Sequence, residues 1–257
     1  MYEALMIAAT GLHNQQRRLD TIAHNVANVN TVAFKNSRLD FKDALYTAGI
    51  VPGLPRTPEG NQQKGHGLMV AGIAKDFSNG NLQVTDRNLD LAIEGEGFFA
   101  LEGADGATIY TRNGNFSLSV EADGIYLVNG DGLYVQDMDG MRIRIPEYTE
   151  TISVGGHGEI TFTAGEEETA VGLGVFTFRN LTGLMSVGEG MYAESEASGE
   201  RLPADGAVIR QGALEGSNVS LAEEMTRMIR TQRAFSLASR ALTTADEMEG
   251  IANNMRR

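Results

Sequence analysis

The sequence contains no cysteine and no tryptophan. Without cysteine there are no disulfides, no thiol nucleophile and no cysteine-held zinc, and the redox compartment stays open. Aromatic residues make up only 7% of the chain. Basic charge is short too: 21 Lys and Arg stand against 34 Asp and Glu, a net charge of -13. That balance excludes nucleic acid and an anionic membrane surface as main partners. No window of about 18 apolar residues occurs, so direct membrane insertion by a helix is not expected. Met1-Tyr2-Glu3 carries no basic region and the apolar patch that follows is short, so no cleaved secretory signal is expected.

The residues of catalysis are also thin. His13, His24, His66 and His157 are scattered, and His157 sits in the turn-like Gly155-Gly156-His157-Gly158. Gly95-Glu96-Gly97-Phe98-Phe99 lacks the third glycine of a dinucleotide loop and leads into a strand-like run. Asp137-Met138-Asp139-Gly140 lacks the distal Glu of a calcium loop. Glu166-Glu167-Glu168 reads as a solvated loop tip. No catalytic residue, cofactor or metal site is assigned, and an enzyme is not expected.

What is present lies first at the two ends. Ser220-Leu221-Ala222-Glu223 has the form of a capping box. Behind it Leu221, Met225, Met228, Phe235, Leu242, Ala245, Met248, Ala252 and Met255 recur at mainly helical spacing. A helix from Ser220 to Met255 would be about 50 Å long, too long and too narrowly striped to stand without a partner helix. The start of the chain supplies one. Leu5, Leu12, Leu19 and Val26 recur every seven residues, and Ala8, Gln15, Ile22 and Val29 repeat the spacing offset by three. This is an a/d seam, and it predicts that the termini pair as a coiled coil.

Between the ends the pattern changes twice. Residues 49–67 hold Pro52, Pro55 and Pro58 among glycines, which favours an extended linker. From residue 68 the apolar period becomes two, with Asp105-Gly106, Asn113-Gly114, Asp123-Gly124, Asn129-Gly130 and Asp139-Gly140 as tight-turn signals. The expected fold is therefore α+β: an antiparallel β-rich domain inserted between two terminal helices. The expected bounds are 1–35 for the first helix, 36–67 for the linker arm, 68–216 for the β domain and 217–257 for the last helix.

Three separated segments carry a resemblance. They are Ala23-His24-Asn25-Val26-Ala27-Asn28-Val29-Asn30-Thr31-Val32-Ala33-Phe34-Lys35, then Leu91 to Phe99 followed by Tyr110-Thr111-Arg112-Asn113-Gly114-Asn115-Phe116, then Gly212-Ala213-Leu214-Glu215-Gly216-Ser217-Asn218-Val219-Ser220-Leu221 onward. In order and over nearly the whole chain, they resemble the axial proteins of the bacterial flagellum, the basal-body rod family. Within it the 34–46 segment and the linker look most like the distal rod branch, with the proximal rod or a hook-type protein as the alternative. A ligand-binding β domain on a coiled-coil stalk is the competing class. One departure from the signature is Ala33, where a Gly usually stands, preceded by Val32.

The resemblance implies a structural subunit. It implies export through the flagellar type III apparatus, a place in the periplasm or cell-wall layer, and polymerisation into a hollow helical shaft that transmits torque and lines the export channel. Implied partners are further copies of the chain, other rod and hook axial proteins, and the export apparatus. The terminal helices would line the tube, and residues 44–68 would brace adjacent subunits. The residues expected at the self-assembly interface are Leu12, Leu19, Ile22, Asn25, Val26 and Asn28 on the first helix. On the last helix they are Leu221, Met225, Met228, Gln232, Phe235 and Leu242.

Overall fold

The computed structural model describes residues 2–44, 46–48, 63–65, 67–165, 167–204 and 206–255. The fold is α+β, with a helix at each end and β structure between them. The chain divides into two compact units. One comprises Met1–Ala27, Ser37–Lys75 and Ser220–Arg257, the other Asn28–Asn36 and Asp76–Val219.

The first, helical unit contains α1 (Tyr2–Ala27) and α2 (Leu221–Asn254), which lie against each other. Proline is absent from both, so neither backbone ladder is interrupted. α2 starts directly after Ser220, whose carbonyl accepts the Glu224 amide (3.0 Å). Its 34 residues give a rod about 51 Å long. The segment after α1 is extended: strand Ser37–Asp43 pairs antiparallel with strand Leu68–Lys75, with a register shift at Asp40/Phe41. Leu39 of this strand, Ala44 directly after it and Ile22 of α1 are buried. Tyr46–Ala48 pairs with Gln63–Gly65. Residues 49–62, which include Pro52, Pro55 and Pro58 of the expected extended path and much of the expected brace, lie outside the described residues. So do the side chains of Leu5 and Ala252.

The second, β unit is antiparallel in every pairing that is described. Its main sheet runs in the order Arg144–Ile145, Gly124–Val128, Tyr134–Val135, Phe98–Glu102, Thr108–Thr111, Met191–Ala193, Met185–Gly188. Phe98–Glu102 explains why the sequence there is a continuous apolar run. Alternate residues of a strand face opposite sides, and this one is covered on both. Phe99 and Leu101 enter one core with Phe116, Ile143 and Phe162. Phe98 and Ala100 enter a second with Tyr110, Phe176, Phe178 and Tyr192. The second core is aromatic and edge-to-face, as in Tyr110–Phe178 with centroids 4.8 Å apart. A three-stranded meander, Thr151–Val154, Glu159–Ala164 and Glu167–Gly172, adds Ile160 and Phe162 to the first core. The last strand of the unit, Ala213–Glu215, pairs with Leu82–Val84.

Candidate assembly site

The helical unit distributes the expected interface residues over two lines of α2. Glu224 and Thr231 are buried, and Met228, Phe235 and Leu242 are half-buried on the same line. Leu221 (42% exposed), Met225 (51%) and Gln232 lie open on a line displaced around the helix, and Ile229 (52%) continues it. On α1, Ile22 is buried and Leu12, Leu19 and Val26 are half-buried. The apolar spacing therefore brings together the residues that face inward within one chain, and it also marks a second row that does not. Sequence reasoning missed the polar members of the inward line, Glu224 and Thr231, because a search for apolar periodicity passes over them.

Asn25 is 1% exposed, and its carboxamide works within the chain. Its amide donates to the Ser37 carbonyl (2.8 Å), and its oxygen accepts the Ser37 amide (3.0 Å). The same amide reaches Glu224 Oε2 (3.4 Å). Asn25 thereby imitates one rung of a β ladder and ties α1 to the strand that follows it. Asn28 accepts from Thr31 twice, through its carbonyl (3.2 Å) and its side-chain oxygen (3.1 Å), and so shapes the turn after the helix.

The β unit holds the second feature. Glu215, 1% exposed, sits between two buried cations. Lys35 Nζ donates to its Oε1 at 2.7 Å and Arg112 Nη1 to its Oε2 at 3.0 Å. The Gly80 amide also donates to Oε1 (2.8 Å). Lys35 reaches the Ser78 carbonyl (2.7 Å); Arg112 reaches Asn79 Oδ1 (3.1 Å) and the Gly95 carbonyl. Burial pushes the Lys35 ammonium below its usual range, against the attraction of Glu215. Burial alone would raise Glu215, but Arg112 and Lys35 together outweigh it and hold the carboxyl below its usual range. The backbone closes in as well: Gly80 lies so near Gly216 that a Cβ would stand 2.0 Å from the Gly216 carbonyl oxygen.

Around this node the entry and exit of the unit run side by side. The Ala33 amide donates to the Glu215 carbonyl (2.7 Å), the Asn36 amide to Asn218 Oδ1 (2.7 Å) and the Asn218 amide to the Phe34 carbonyl (3.3 Å). Ala33 has φ +56 and is 2% exposed. A left-handed alanine costs about 1–2 kcal/mol, but glycine would forfeit a buried methyl, about 0.8 kcal/mol, and add unfolded-state entropy. These terms nearly offset, so Ala33→Gly should change stability by less than about 0.5 kcal/mol. Ala33→Val, β-branched at positive φ, should cost about 2–3 kcal/mol. Urea unfolding of the two variants checks both.

Lys35, Arg112 and Glu215 each belong to a different one of the three sequence motifs, which places the motifs in one contact set. Comparison with known proteins gives the same grouping. Residues 5–35 match the profile described as flagella basal body rod protein, 92–162 that of the flagellar hook protein FlgE/F/G D1 domain, and 210–255 that of the flagellar basal body rod FlgEFG protein C-terminal. The chain is 38% identical over 268 residues to the flagellar basal-body rod protein FlgG of Bacillus subtilis, covering 100% of both chains. The chain belongs to the flagellar basal-body rod family. Its likeness to FlgG extends to Borreliella burgdorferi, at 37% identity over 100% of both chains. For Agrobacterium fabrum it is 36%, over 97% of this chain and 98% of the relative. As a rod-family protein it is a structural subunit of the basal body. Among the described residues no helix is long and apolar enough to cross a membrane.

Proposed function

We propose that this rod protein polymerises into a hollow helical shaft, at the distal position suggested by its likeness to FlgG, and that the shaft transmits torque and lines an export channel. Its other partners on this reading are neighbouring rod and hook axial proteins and the type III apparatus that exports it. On this reading residues 1–35 and 217–257 form the inner-tube domain, 36–67 an arm and 68–216 the outer domain, with strand Leu68–Lys75 paired to the arm and clustered with the helical unit. α1 and α2 pair as a coiled coil through Leu12, Leu19, Ile22, Val26, Met228, Phe235 and Leu242, with Asn25 and Asn28 setting the turn into the arm.

The observation that carries the reading is the second row on α2. Leu221, Met225 and Ile229 stay 42–52% exposed although they follow one another at four-residue steps. A row of large apolar side chains on one helix face is an association surface. Gln232 extends it with a polar group that can fix register. A heterologous contact of this kind that does not close a ring generates an open helix of subunits.

Electron microscopy of concentrated full-length protein tests the reading. Tubes of constant diameter are expected, and a protein that stays dispersed at every concentration counts against it.

A further inference from the structure

Building on that assembly reading, we propose that the helical unit carries a socket for a carboxylate side chain of a second copy. The socket is a cavity of about 150 Å³ walled by α1, the strand Ser37–Asp43 and the first turns of α2. Glu224 and Asn25, each 1% exposed, form its floor. The floor carboxylate is already engaged, accepting from Arg227 (2.7 Å) and Asn25 (3.4 Å), so it presents a paired group to the cavity. Arg18 and Arg38 line the cavity beside it.

These two guanidiniums have weak partners. Arg18 lies over the Phe41 ring at 5.8 Å. Arg38 is 3.4 Å from Asp40, with side chains 74% and 52% exposed. Contacts of both kinds are worth little in water. Either guanidinium is therefore available to fork onto an incoming carboxylate, the geometry for which arginine is better suited than lysine.

The charge distribution names the occupant. The helical unit carries 13 Lys and Arg against 10 Asp and Glu, the β unit 8 against 24. A chain so divided presents most of its carboxylates on the β unit and its only excess of cations on the helical unit. A carboxylate from the β unit of another copy is thus the complementary group, and the attraction it adds is screened by salt. Free phosphate or sulfate shares the same oxyanion chemistry.

The test measures the critical concentration for polymerisation of full-length protein by light scattering, at low and high NaCl. The double variant Arg18→Gln/Arg38→Gln should raise it about tenfold and flatten its salt dependence. Arg38→Lys, which keeps charge but loses the fork, should fall between, and it serves if the double variant alters the circular dichroism of the monomer. Equal critical concentrations for all three proteins would overturn the socket while leaving the assembly reading intact. An unsubstituted chain that never associates would overturn both. Inorganic phosphate that raises the melting temperature of the unsubstituted monomer, but not of the double variant, would show a small-anion site and overturn the docking role.

Discussion

Replacing Glu215 with Ala is expected to remove about 3–5 kcal/mol from the stability of the β unit, the usual cost of deleting one partner of a buried ion pair. The cost is high because two cations lose their counter-charge together. Lys35 and Glu215 have side chains 0% and 1% exposed, and Arg112 is at 2%. Without the carboxylate, Lys35 and Arg112 stay buried with only neutral acceptors, the Ser78 and Gly95 carbonyls and Asn79 Oδ1. At about 2–4 °C per kcal/mol for a unit of this size, the melting temperature should fall by roughly 10 °C. Calorimetry reads the β unit's transition, and a loss under about 1 kcal/mol would refute the assignment. Replacing all three members by apolar residues should restore part of the loss, since no charge is then left buried.

The same node sets an acid limit. The Glu215 carboxyl is held below the 4.5 of an unperturbed glutamate, so the folded state binds its proton less readily than the unfolded chain does. The stabilisation is fully present above about 4.5 and is lost as pH falls through the lower folded value. Glu215→Gln should be less stable than the parent at neutral pH and should lose less on acidification. The difference between their pH profiles isolates this one group.

The second large effect is expected at the exposed row of α2. Met225→Glu with Ile229→Glu should leave the folding of the monomer within about 0.5 kcal/mol, because both side chains are half in water already. Polymerisation should respond very differently. Two carboxylates forced into an apolar contact without partners cost several kcal/mol per interface. The critical concentration should therefore rise on the order of 100-fold or more. Sedimentation of polymer across a concentration series measures it. Tubes forming at the parent concentration would show that this row faces solvent in the assembly.

Much of the fold was legible in the sequence. The start of α2 was visible at Ser220, the inserted β structure in the period of two, and the turns in Asp-Gly and Asn-Gly pairs such as Asp139-Gly140, whose glycine has φ +84. The partition of the α2 stripe was not legible. Apolar spacing is the same whether a side chain meets its own chain or another, so Leu221 and Met228 look alike until the folded chain separates them. The Lys35–Arg112–Glu215 node was not legible either. Each charge sits beside an apolar or hydroxyl neighbour in its motif, but 103 residues separate Arg112 from Glu215 and 180 separate Lys35 from it. No periodicity links groups so far apart along the chain. The hint that was available is that each of the three matched segments carries a charge that is not explained by its own helix or turn: Lys35, Arg112 and Glu215. The left-handed Ala33 follows the same lesson: the turn keeps the conformation a glycine would take, with the Glu215 carbonyl holding its amide.

The side-by-side run of residues 33–36 and 213–218 means that the β unit begins and ends at one seam. The rest of the β unit, residues 76–212, hangs from this common clasp like a pendant. Insertions or deletions there, so long as Lys35, Arg112 and Glu215 still meet, change the size of the pendant without moving the clasp.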